Sequence, residues 1–408
     1  MTNILSWENL EKFNTEDLDR KNGETNSYSN LRLFNHSEKE AELIFYRDRH
    51  AWCPYCQKIW LWLELKQIPY KVKKINMFCY GKKESWFLNK VNSGKLPAIE
   101  LQGKIVSESD NIIYFLENEY GVLGSSIFAK KLQKVRKIER EIFRAWCDWL
   151  CRENIIFLES SIKKTKLKQN LNKLEDLIKN SSTGFLDPIT VNENDIRPGT
   201  GDIIFIPYLE RLNASLCYYK GFSLREEFPK INEWLTLLEK QSTYLGTQGD
   251  FHTHSHDLPP QMGGCYKEEN PKQLYYSNLI DSGKGLGNLE INTSQDLDKY
   301  SKIALHRVIK HKKNLIKSNP CENDLFEIGL RAALTYIVTG ETNNVEDSCA
   351  TGLRFLRDRI SVPRDMPIIS ARILRGALEK ISSQSDSIEI HNIPTQHRYD
   401  QNPTHFLN

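Results

Sequence analysis

A chain of 408 residues exceeds one short module and, at roughly 150 residues per domain, implies two or three domains. With 21 glycines, 15 prolines and 39% apolar residues the composition is globular, neither low-complexity nor collagen-like. The 56 basic and 53 acidic side chains leave a net charge of +3, too small for a protein whose affinity comes from neutralising a row of phosphates, so no nucleic-acid partner is expected.

Residues 1–40 read as a polar leader with scattered apolar side chains, Ile4, Trp7, Leu10 and Phe13. Over 41–122 the pattern alternates. Leu43-Ile44-Phe45-Tyr46 reads as a buried strand, and 54–66 as a helix with Ile59, Trp60 and Leu63 on one stripe. A strand follows over 70–75, a helix over 83–91, a hairpin turning at Gln102-Gly103, and a helix over 109–119. The order is βαβαββα.

From 128 to 245 the period is helical with almost no strand signal, as in the spacing of Ile138, Ile142, Ala145 and Trp149. Residues 246–295, with His252, His254, His256, Pro259-Pro260 and Gly263-Gly264, have the turn chemistry of an irregular connection. Residues 296–383 are a helical extension (296–316, 323–339, 344–360 and 367–382), and 384–408 form a polar tail. Nine cysteines, an odd number, accompany an opening stretch without an export signal, and the longest apolar runs fall far short of the roughly 20 residues that cross a bilayer. These features predict a cytoplasmic protein with reduced thiols and no membrane partner.

The chemistry concentrates at Trp52-Cys53-Pro54-Tyr55-Cys56, between the first strand and its helix. Proline suits the first helical position, which puts Cys53 at the cap with free backbone N–H groups aimed at its sulfur, a geometry that favours thiolate. Arg47, Arg49 and His50 are expected to add positive charge. Cys56, one turn in, can resolve a mixed disulfide formed on Cys53. The alternatives are a pair of inert thiols or half of a zinc knuckle, for which the nearest further cysteine, Cys79, stands alone.

Cys53-Pro54-Tyr55-Cys56 resembles the glutaredoxin active-site motif, and residues 43–120 resemble the thioredoxin-like N-terminal domain of glutathione transferases. Two further marks of that family follow in order: Leu96-Pro97 before the third strand and Glu108-Ser109 opening the third helix. The resemblance implies a cis Pro97 that turns the backbone of Leu96 towards glutathione, with Ser109 for the γ-glutamyl carboxylate and Glu108 for its ammonium. An ordinary helix cap is the other reading of Glu108-Ser109.

Residues 128–245 are similar to the family's all-α domain, with Asp202 and the helix after it resembling the central buried helix. Gly199 stands where the family's capping Ser or Thr is usual. The chain as a whole looks like an extended glutathione-transferase-like group of oxygenic phototrophs, on residues 257–266 and 357–367.

The fold class expected is thus an α/β thioredoxin-like domain, an all-α transferase domain and a helical extension. The resemblance implies glutathione as co-substrate and a small-molecule or protein disulfide as partner, and it is compatible with a homodimer. Glutathione-dependent thiol–disulfide oxidoreduction with a Cys53 nucleophile is the function expected, with conjugation to an electrophile or a non-catalytic scaffold as alternatives. Three alternating imidazoles from His252 to His256 would share one face of an extended segment, but a junction loop without metal is the reading adopted. Cys147 and Cys151 read as core residues, and the Arg357-Asp358-Arg359 and Arg364-Asp365 clusters as ties between helices.

Overall fold

The computed structural model describes residues 4–13, 18–153, 157–192, 195–282 and 294–384. These fall into two compact units. The polar tail and the glycine-rich part of the connection, 283–293, lie outside the described residues.

The larger unit carries a five-stranded sheet in the order β1 (Leu31–Arg32), β3 (Tyr70–Ile75), β2 (Leu43–Asp48), β4 (Ala98–Leu101), β5 (Lys104–Ser107). β2 and β3 run parallel, and the β2–β4, β4–β5 and β1–β3 pairs are antiparallel. Alternation builds one face of this sheet: Tyr46, Ile75 and Ala98 pack with Phe87 and Val91 of the helix Ser85–Lys90 and the residues after it. The β4–β5 hairpin turns at Gln102 and Gly103, both at positive φ, the requirement of a two-residue turn matched to strand twist.

The helix Pro54–Lys66 crosses between β2 and β3, starting on a proline and stopping at Gln67 in the left-handed conformation. It is buried from Cys56 to Leu65 on every side, because the helical region covers the face turned away from the sheet. The sheet with its helices is thioredoxin-like. The helical region pairs Lys130–Cys151 with Phe157–Lys179, and the first of these also packs on the wholly buried Ile206–Lys220. It is not free of strands: Pro188–Asn192 and Asp195–Pro198 form a small antiparallel hairpin of two short strands.

The expectation of a polar leader over 1–40 is corrected. β1 extends the sheet, and Arg32 forms a bidentate pair with Glu64 of the Cys-bearing helix at 2.9 Å for both contacts. Thr25 Oγ1 and Tyr70 OH donate to the same carboxylate, so a group that looks polar in the sequence is buried by pairing. Residues 4–13 belong instead to the smaller unit, where Leu5 N donates to Thr335 Oγ1 and Trp7 Nε1 to Glu327 Oε1. That unit packs the helices Ser294–Lys317, Asn323–Thr339, Ala350–Arg359 and Ile368–Ser382. Arg357 and Arg354 both pair with Glu379, tying two of them together as the sequence suggests.

The irregular connection is corrected too. Phe251–Met262 and Pro271–Asp281 are helices, the first one despite Pro259 and Pro260. The Asp250 carboxylate accepts from Thr253 N at 2.9 Å and pairs with Arg375 in the smaller unit, and Tyr80 OH donates to the Asp257 carbonyl at 2.6 Å in the larger one. His252, His254 and His256 are therefore helical, not extended. Among the described residues no helix is long and apolar enough to cross a membrane.

Candidate active site

Cys53 caps the helix Pro54–Lys66, and Cys56 N donates to Cys53 Sγ at 3.4 Å. The preceding Ala51 sits at φ 62, a left-handed conformation that costs free energy for a residue with a Cβ and that brings the chain off β2 sharply into the cap. Two bonds anchor this loop. Trp52 N donates to Asp48 Oδ2 at 2.7 Å, and Arg211 of the central helix donates to the Trp52 carbonyl at 2.7 Å. Arg211 also holds Gln57, whose amide reaches Glu210 and the Thr247 carbonyl. The helical region thereby positions the thiol pair from behind.

The two sulfurs are not equivalent. Burial pushes the Cys56 thiol well up, and the adjoining Cys53 sulfur adds to the shift. Cys56 is thus the protonated partner. One ligand-type atom from each of Asp48, Cys53 and Cys56 lies within 4.8 Å of the others, so a buried carboxylate stands beside both sulfurs.

The flanking cations differ from the sequence expectation. Arg49 is spent on Glu84 at 2.9 Å, and His50 stacks on Trp52 with Tyr80 tilted against it. Arg47 lies against Trp60 with its donors on the Ser27 and Asp48 carbonyls, and burial lowers its pKa.

Leu96-Pro97 is cis, as the resemblance implies. Glu108 stands at φ 67 directly before the helix Ser109–Tyr120, the second strained non-glycine residue at the mouth of a helix in this region. Its carboxylate meets Lys95 at 3.1 Å on the surface. Ser109 is buried and its Oγ accepts from Lys58 Nζ at 3.2 Å. Lys58 reaches Asp110 as well at 3.0 Å, and Arg136 reaches that carboxylate at 2.6 Å. Burial alone would raise the Asp110 carboxyl, but Lys58 and Arg136 hold it below its ordinary value. Two cations on one carboxylate leave net positive charge beside Ser109.

Tyr55, Tyr208 and Phe143 form an aromatic edge next to the thiol pair, with Arg140 over the last two rings at 5.0 and 4.8 Å. Asp48, Lys58 and Arg211 were missed from the sequence. A lone Asp, Lys or Arg carries no periodic signal there, and only an acidic residue five before the first Cys hinted at Asp48.

Cys147 and Cys151 are free thiols, each only partly buried, and Cys151 neighbours the free thiol of Cys265. Gly199 does cap Thr200–Ile203 without a side-chain bond, and the buried Asp202 carboxylate accepts from Leu186 N, Asp187 N and Trp234 Nε1.

The family model of the glutathione S-transferase N-terminal domain matches residues 52–119, the span from Trp52 through the helix after Glu108. Around that domain, glutathione S-transferase DHAR2 of Arabidopsis thaliana is 26% identical over 196 residues, covering 48% of this chain and 84% of that protein. Glutathione S-transferase L3 of the same plant is 27% identical over 203 residues, covering 48% and 79%. A solved dehydroascorbate reductase of Chlamydomonas reinhardtii is 20% identical over 51% of this chain and 93% of its own, with a TM-score of 0.42. The transferase-like similarity thus takes in about half of the chain.

Proposed function

We propose that the chain is a glutathione-dependent thiol–disulfide oxidoreductase in which Cys53 is the nucleophile and Cys56 resolves. The observation that carries this reading is the asymmetry of the pair: Cys53 Sγ receives the Cys56 amide at a helix start, while burial keeps Cys56 protonated.

In the first step the Cys53 thiolate attacks the glutathionyl sulfur of a mixed disulfide. The substrate thiolate leaves, takes a proton from water, and a Cys53–glutathione disulfide remains. In the second step Cys56 gives its proton to Asp48 and attacks Cys53, releasing glutathione thiolate and leaving the Cys53–Cys56 disulfide. Two further glutathione molecules reduce that disulfide and become oxidised glutathione. A second glutathione can also resolve the first intermediate directly.

Glutathione is held, in this reading, by the Leu96 backbone before Pro97, by Ser109 for its γ-glutamyl carboxylate and by Glu108 for its ammonium. The positive charge of Lys58 beside Ser109 supports the carboxylate role. The strained Glu108 supports it too, since backbone strain of this kind gathers at ligand sites. The Tyr55–Tyr208–Phe143 edge with Arg140 offers the co-substrate an aromatic face and one cation.

Deglutathionylation of a glutathionylated peptide, followed by mass spectrometry, tests the assignment. Cys53→Ser should abolish turnover, and Cys56→Ser should retain a slower route and accumulate the Cys53–glutathione adduct. Full activity in Cys53→Ser would remove the pair from the chemistry. Turnover of an electrophile without any thiol exchange would favour conjugation, and glutathione binding without either would favour a scaffold.

A further inference from the structure

Among the described residues a second group of ligand-type side chains, made of residues other than the thiol pair, belongs wholly to the smaller unit. His252 and His256 stand four residues apart in the helix Phe251–Met262, one turn, so both rings share a face; their centroids are 4.7 Å apart and inclined at 62°. Asp281, the last residue of the helix Pro271–Asp281, brings its Oδ1 to 2.9 Å from His256 Nε2. One ligand atom from each of His252, His256 and Asp281 lies within 4.8 Å of the other two. Both imidazoles are buried and the carboxylate is half-exposed.

Bond lengths decide what this arrangement can hold. Zinc takes imidazole nitrogen and carboxylate oxygen at about 2.0 to 2.2 Å, which sets ligand atoms of a tetrahedron about 3.3 Å apart. The 2.9 Å contact is within a few tenths of that edge, and the other ligand atoms, all within 4.8 Å, would move in by about 1.5 Å at most on binding. Two imidazoles at i and i+4 on one helix face are also a recurrent zinc-binding pair, because the helical repeat aims both rings at one point. Asp358 Oδ1 stands 4.0 Å from His252 Nε2 but already accepts from Arg357 Nε at 2.7 Å. At that distance the carboxylate adds negative charge near His252 without a hydrogen bond to it. His254 is directed elsewhere, its ring packed on Gly249 so closely that a Cβ there would stand 2.3 Å from it.

We propose that His252, His256 and Asp281 bind one divalent transition-metal ion of the zinc class, with the fourth position left to water. Three protein ligands and one open position is an arrangement zinc accepts readily.

Cobalt(II) is the probe, added to the untagged full chain after chelator treatment. The wild type should take up one equivalent with visible d–d absorption and no thiolate-to-cobalt charge transfer, and zinc should displace it. A Cys53→Ser, Cys56→Ser double variant should behave identically, which separates this site from the thiol pair. His256→Ala and Asp281→Asn should each weaken binding about tenfold or more. Asp281→Asn keeps the size of a half-exposed side chain, and its melting temperature without metal should match the wild type. Cobalt uptake unchanged in both variants, uptake lost with the cysteines, or no uptake by the wild type would each overturn the site.

Discussion

Replacing Asp202 by Asn isolates the pH dependence that one buried carboxyl imposes on the fold. Burial raises this carboxyl from 3.8 to about 6, and the bonds from Trp234 Nε1, Leu186 N and Asp187 N only partly oppose the shift. The folded chain therefore keeps a proton that the unfolded chain releases near 3.8. With the folded value raised, the stabilisation is fully present below the unfolded value and is lost as pH rises through about 6. At about 1.36 kcal/mol per unit, a gap of roughly two units amounts to about 3 kcal/mol. Asn does not titrate, so the variant lacks this term, although its amide would point N–H groups at N–H donors and lower stability throughout. Urea unfolding at about pH 4 and about pH 7.5 should show the wild type losing up to about 3 kcal/mol relative to Asp202→Asn over that interval. Stability curves that run parallel would refute the reasoning, as would a carboxyl NMR titration placing Asp202 near 4.

Glu64→Gln should lower stability by about 3 to 5 kcal/mol, because Arg32 would stay charged and buried without its partner; urea unfolding showing a loss below about 1 kcal/mol would contradict this account of β1. Asp48→Asn should slow closure of the Cys53–Cys56 disulfide about 100-fold at neutral pH and leave the attack on substrate unchanged, as befits a proton acceptor for Cys56. Quenched-flow mass spectrometry separates the steps, and equal slowing of both would assign Asp48 to loop geometry alone. Ser109→Ala should weaken glutathione binding by about 1 to 3 kcal/mol in calorimetry, and unchanged affinity would exclude the carboxylate role.

The local features were legible because local chemistry determines them. Strand alternation, the proline that opens the helix at Cys53, the Gln102-Gly103 turn and the Cys53–Cys56 spacing are set within a few residues, and the structure follows them closely. Pairing over long distances was not legible. Arg32 reads as surface charge until Glu64, Thr25 and Tyr70 meet it in the fold, and residues 19–40 are drawn into the sheet unit by that network. Pro259-Pro260 signals a turn, yet the helix Phe251–Met262 persists where Asp250 caps its start. The sequence by itself determined which residues can do thiol chemistry. Only tertiary structure decided that Asp48 stands beside both sulfurs, that Lys58 donates to Ser109 and that His252 and His256 meet Asp281. Burial and the partners of a titratable group depend on what packs against it, and no short stretch of chain encodes that.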